Sequence, residues 1–167
     1  MTFEEKQHEL VFTARMNILM HQDLELFYAF YTRWTSTLSL LFSSAAFASI
    51  ASVFPAWIPF QKDALIASFA FIITIMNAIQ LAFSFPTKLQ THATFRRKWT
   101  EVELQLKLLN EDSENAFFQL LEIEKKTYQL HGDEPPVSKG RRKKAYFAAI
   151  SSLGLESPVE IPLLYRN

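Results

Sequence analysis

The charged positions of this chain leave two long gaps. Twenty-eight residues between Arg33 and Lys62, and twenty-four between Asp63 and Lys88, carry no formal charge. Each gap exceeds the ~20 residues that a helix needs to cross ~30 Å of hydrocarbon. The pattern predicts a transmembrane helical hairpin over 34–86, with spans at about 34–54 and 64–85. Pro55 and Pro59 punctuate the join "FPAWIPFQKD", because proline lacks an amide hydrogen and drives the preceding residue out of helical geometry. Two core helices of a soluble protein would also be apolar all round. A chain of 167 residues, however, has too little polar flank to cover two such helices on every side.

The flanks carry a different rhythm. Over 1–33, Phe12, Met16, Leu19, Met20, Leu26, Phe27 and Phe30 recur at spacings near three and four among acidic and amide residues, the signature of an amphipathic helix. Nothing breaks it before the first span, so a continuous rod of about 80 Å follows at 1.5 Å per residue. Its apolar stripe is expected to pack on another helix, and the second flank offers one. Phe95, Trp99, Val102, Leu106 and Leu109 alternate at four and three, which is the coiled-coil period. The stretch "NEDSEN" reads as a break with Asp112 or Ser113 capping the next helix, and Gly132 is expected to close that helix in a left-handed conformation. The turn-rich "GDEPPVSKG" follows, then a short basic helix and an extended tail. The domain reading is therefore a cytoplasmic N-terminal amphipathic helix at 1–33, the hairpin at 34–86, cytoplasmic helices at 87–131, and linker, basic helix and tail at 132–167. The fold class is an all-α membrane protein with cytoplasmic helical or coiled-coil flanks, expected to be oligomeric.

Polar residues inside the gaps sharpen that picture. Ser36, Ser39 and Ser43 share one face of the first span, while Ser44, Ala48 and Ser52 recur along another. Small residues at this spacing let helices approach closely. Thr74, Asn77 and Gln80 lie in the second span, where an amide must face protein or a wet cavity. One reading is a hydrogen bond between the two spans, worth only ~0.6 kcal/mol. The other is a polar seam formed by Ser36, Ser39, Ser43, Thr74, Asn77 and Gln80 that lines a pore once several copies assemble.

Composition narrows the chemistry. All 17 basic and all 17 acidic residues sit outside the spans. Lys88, Arg96, Arg97 and Lys98 follow the second span and Arg33 precedes the first, against Lys62 alone in the connector, so the positive-inside rule puts both termini in the cytoplasm. There is no cysteine, which excludes disulfides and thiolate metal sites. The three glycines stand far apart and build no phosphate loop. His8, His21, His92 and His131 show no metal spacing and are expected to be solvated. No catalytic constellation converges, so the expectation is a protein that is not an enzyme and carries no cofactor or metal. Lys139, Arg141, Arg142, Lys143 and Lys144 form the one concentrated basic run, suited to anionic lipid headgroups at ~1 kcal/mol per charge or to a partner. Without aromatic residues inside the run, direct nucleic-acid binding is disfavoured.

The order of these parts resembles the SLATT family, bacterial two-transmembrane proteins. The likeness covers nearly the whole arrangement: "FYAFYTRW" entering the first span, a tight hairpin, a long helix after the second span, and "DEPP" before the basic-to-aromatic helix "RRKKAYFAA". Glu134, Pro135 and Pro136 are its most characteristic match, and the acidic N-terminal flank departs from the pattern. The resemblance implies a membrane-perforating or depolarising effector of an antiviral conflict system in the bacterial inner membrane. It would act as a homo-oligomeric pore released by a sensor or nucleotide-signalling partner encoded nearby. The alternative from another class is a non-conducting membrane anchor that recruits a cytoplasmic partner through its helical flanks.

Overall fold

The computed structural model describes residues 2–43, 62–110 and 115–155. Every regular element among them is an α-helix: α1 Phe3–Ser43, α2 Lys62–Phe83, α3 Phe85–Leu108, α4 Ala116–Asp133 and α5 Lys139–Leu153. The predicted connector prolines, the serine face at Ser44 and Ser52, the predicted caps Asp112 and Ser113, and the tail from 156 on lie outside the described residues.

Local chemistry explains the helix ends. Thr2 and Glu5 form a capping box at the start of α1. The Thr2 hydroxyl accepts the Glu5 amide hydrogen at 3.2 Å, and the Glu5 carboxylate accepts from the Thr2 nitrogen at 2.8 Å, so two otherwise unpaired donors are satisfied together. From there α1 runs 41 residues without interruption, out of the flank and into the first apolar segment. Ser84, at φ 48°, breaks the path between α2 and α3. Pro86 sits in the first turn of α3, where its missing amide hydrogen costs least.

The expected closure of the fourth helix at Gly132 is corrected. The helix continues to Asp133 and stops where Glu134 turns extended, at φ −65° and ψ 136°. The residue before a proline is pushed out of the α region, so Pro135 ends the helix in place of the glycine. The left-handed glycine is Gly154 instead, at φ 65°. Its amide bonds the Ser151 carbonyl at 3.3 Å and the Leu155 amide bonds Ile150 at 3.1 Å, the paired bonds of a Schellman ending.

The chain divides into two compact units, residues 1–24 with 91–167, and residues 25–90. In the first, Leu10, Ala14 and Ile18 of α1 meet Phe95, Trp99, Val102 and Leu106 of α3 and Leu120 and Leu130 of α4. On another side of α1, Phe12 meets Tyr146 of α5 edge to face, ring centres 5.4 Å apart. The segment of α1 from Leu10 to Leu24 is thus covered on several sides, and Asn17 and Thr13 are buried with the hydrophobes. Several of the buried polar groups are paired. The Gln7 amide donates to the Leu106 and Leu109 carbonyls at 2.6 and 3.1 Å, satisfying acceptors that the end of α3 leaves open. Buried Glu103 is held by Arg15 at 2.6 Å and Lys107 at 2.7 Å.

The second unit turns its apolar residues outward. Leu40, Leu41, Phe71, Ile72, Ile75, Ile79 and Leu81 are all exposed. Among the described residues, the helical run Ala67–Leu108 is the one long and apolar enough to cross a membrane, and only 6% of its apolar stretch is buried. The core helix of a soluble protein is mostly buried; among the described residues this stretch is not.

Candidate functional site

Two places gather chemistry, one in each unit. Within residues 25–90, the Ser39 hydroxyl donates to the Asn77 side-chain carbonyl at 3.1 Å, a polar contact between α1 and α2 among apolar neighbours. Of the six residues expected to form a polar seam, these two are brought together. Thr74 spends its hydroxyl on the Ala70 carbonyl of its own helix at 2.8 Å. Ser36 is exposed, Gln80 is half-buried, and the side chain of Ser43 lies outside the described residues.

The same unit gathers aromatic rings at one end of the helix pair. Phe27, Tyr28 and Tyr31 cluster along α1, and Tyr28 and Tyr31 reach Phe85 with ring centres 6.2 and 5.6 Å apart. Phe83 stacks on Phe85 at 5.6 Å, and Phe30 meets Trp34 at 6.0 Å. The Lys88 ammonium lies over the Phe83 and Tyr28 rings at 5.9 and 6.0 Å, within the range of cation–π attraction. Amphipathic rings and a long-stemmed cation at the end of an apolar span are what a bilayer interface selects.

The first unit holds a group of histidines that overturns the expectation of solvated imidazoles. His21 and His92 are not solvated; both are buried, His21 completely. Their Nδ1 atoms are 3.0 Å apart, and His21 stacks on Phe95. His21 Nε2 lies 3.1 Å from Glu134 Oε1, which also accepts from the Trp99 indole at 2.5 Å. His131 Nδ1 approaches the other carboxylate oxygen at 3.5 Å and, at 20% exposed, is the member of the group nearest to water. Burial opposes charge on Glu134, but hydrogen bonds from His131 and His21, and their positive charge when protonated, outweigh it and bring the carboxyl from 4.5 down to about 2. The group is therefore built around an ionised carboxylate. Among the described residues no three His, Asp or Glu side chains are placed to hold a metal.

A signal for this group was present in the chain. His92 stands three residues before Phe95 and so extends the stripe Phe95, Trp99, Val102, Leu106 by one step of its own period. His21 likewise follows Leu10, Ala14 and Asn17 at four, three and four. A polar residue in register with a core stripe is a buried one, and it needs a partner.

The other singled-out residues divide. Phe95, Trp99, Val102 and Leu106 are buried, and Leu109 packs half-buried against them. In the basic run, Arg141 and Lys144 both pair with Asp23 of α1, at 2.9 and 2.5 Å. Lys139 and Lys143 are exposed and Arg142 is half-buried. Two of the five cations thus hold α5 to α1. Set against known proteins, the chain matches no family model, no curated protein and no solved structure, so the argument for its function rests on these two places.

Proposed function

We propose that the chain is a membrane-embedded effector whose two apolar helices form a hairpin and self-associate into a depolarising pore. The observation that carries this reading is the exposed apolar surface of α2, rimmed by the aromatic cluster and Lys88 and interrupted by the Ser39–Asn77 contact. Its 22 residues reach about 33 Å at 1.5 Å per residue, a match to the hydrocarbon thickness. Two helices enclose no aqueous path, so conduction requires a homo-oligomer in which Ser36, Ser39, Ser43, Thr74, Asn77 and Gln80 face inward. The positive residues beyond the span set both termini in the cytoplasm of a bacterial inner membrane. The resemblance to the SLATT family points the same way and adds a trigger, a sensor or nucleotide-signalling partner encoded nearby. The exposed lysines of α5 remain available to anionic headgroups or to that partner.

The test is membrane potential in cells on induced expression, read with a potential-sensitive dye beside an Asn77→Leu/Gln80→Leu variant present in the membrane at the same level. Depolarisation that the variant loses supports the pore. Depolarisation that the variant keeps in full removes the polar seam from the mechanism. A second reading has its own observation: Ser39 satisfies the Asn77 carbonyl within one chain, as plain helix packing would. Under that reading the protein is a non-conducting anchor, and unchanged potential in every genetic context is its outcome.

A further inference from the structure

The buried imidazoles are used neither by the core nor by the membrane helices. His21 must donate from Nε2, because an ionised carboxylate only accepts. Its Nδ1 then shares a single proton with His92 Nδ1, 3.0 Å away. Either His92 donates to neutral His21, or His21 carries both protons and donates to His92. A second proton between the two Nδ1 atoms has no place. Two imidazolium rings would point N–H at N–H across 3.0 Å, turning a hydrogen bond into a contact of like charges inside a water-excluded site.

We propose that His21 and His92 form a proton-responsive latch that holds α1 to α3 while the pair carries one shared proton and releases them when each ring is protonated. Several groups face the pair from the elements packed around it. Glu134, from the turn between α4 and α5, binds His21. His131 of α4, 20% exposed, touches the other oxygen of Glu134. Phe95 and Trp99 of α3 contribute a stacked ring and an indole donor to the same group. Asp23, the next acid along α1, is committed to Arg141 and Lys144 of α5, and Glu103 of α3 to Arg15 and Lys107. With Glu134 ionised down to about 2, the proton that opens the latch is taken up by an imidazole. The inference concerns residues 1–24 and 91–167 alone and stands whether or not the membrane helices conduct.

Hydrogen–deuterium exchange of the full chain in detergent micelles tests it. After correction for intrinsic rates, amides of residues 17–24 and 91–95 are expected to open about tenfold more at about pH 5 than at about pH 8. A His92→Asn variant, which keeps one amide donor or acceptor near the Nδ1 position but cannot titrate, should lose that dependence. Equal opening of the wild-type chain at both pH values overturns the latch, and so does an unchanged pH dependence in H92N. Should H92N not fold, 15N spectra of the wild-type imidazoles supply the second arm. Protonation of His21 and His92 must track the exchange midpoint, and titration of the pair without loss of protection also overturns the proposal.

Discussion

The two units of this chain spend hydrophobic residues in opposite ways. In the first, Trp99, Met16, Met20 and Leu106 are withdrawn from water almost completely, and the polar groups among them, Glu103, Glu134 and Gln7, each find a partner. In the second, Leu81 is 80% exposed and Phe71 66%. Burying apolar surface is worth ~25 cal/mol per Å² in water, so the first unit is stabilised by its own core. The second leaves much of its apolar surface outside any such core. The contrast teaches that one helical chain treats its apolar residues in two ways, buried in one unit and exposed in the other.

The largest expected effect separates the units directly. Trp99→Ala should cost the first unit ~3–5 kcal/mol, since it empties a closed site and orphans the Glu134 bond. Trp34→Ala, at a ring 51% exposed, should leave thermal unfolding of that unit nearly unchanged. Equal losses in circular-dichroism melts would collapse the distinction between buried and exposed rings.

Acid is the next probe. Because the Glu134 carboxyl is depressed to about 2 when folded, against 4.5 when free, its contribution is present above pH ~4.5 and is lost as the pH falls toward ~2. At neutral pH the linkage is worth ~3 kcal/mol. Denaturation of the wild-type chain at neutral and acid pH should show this loss, and Glu134→Gln should flatten the curve while lowering its neutral plateau. A carboxyl that titrates at its ordinary value would deny the buried network its charge.

Ile75→Arg addresses the second unit. Arginine at the centre of a span costs ~2.5–3.5 kcal/mol on insertion, so carbonate-resistant membrane recovery should fall severalfold. Undiminished recovery would remove α2 from the bilayer. The smallest effect is Asn77→Leu, which breaks the contact with Ser39 at a cost of ~0.6 kcal/mol to helix association. A much larger loss of conduction than of stability would sharpen the seam from a packing contact into a functional one.

Much of the organisation was legible because it rests on one-dimensional facts. Charge-free length, the four-and-three spacing of Phe95, Trp99, Val102 and Leu106, and the left-handed preference of glycine all read along the chain. Even so, the glycine rule failed at Gly132. Pro135 acted first, and the rule applied instead at Gly154. The histidine group was missed for a deeper reason. His21, His92 and Glu134 lie 71 and 113 positions apart, measured from His21, and no local pattern states that three distant polar residues share one interior. Likewise, the basic run reads as a free patch until Asp23 is found beneath Arg141 and Lys144.

By itself, the sequence determined where helices form and which stretches are charge-free and apolar, because propensity, proline geometry and transfer free energy act residue by residue. Only the tertiary structure decided which charges are neutralised and which polar groups are buried together. Desolvation and hydrogen bonding depend on what surrounds an atom, and for Glu134 those surroundings come from three separate helices and a turn.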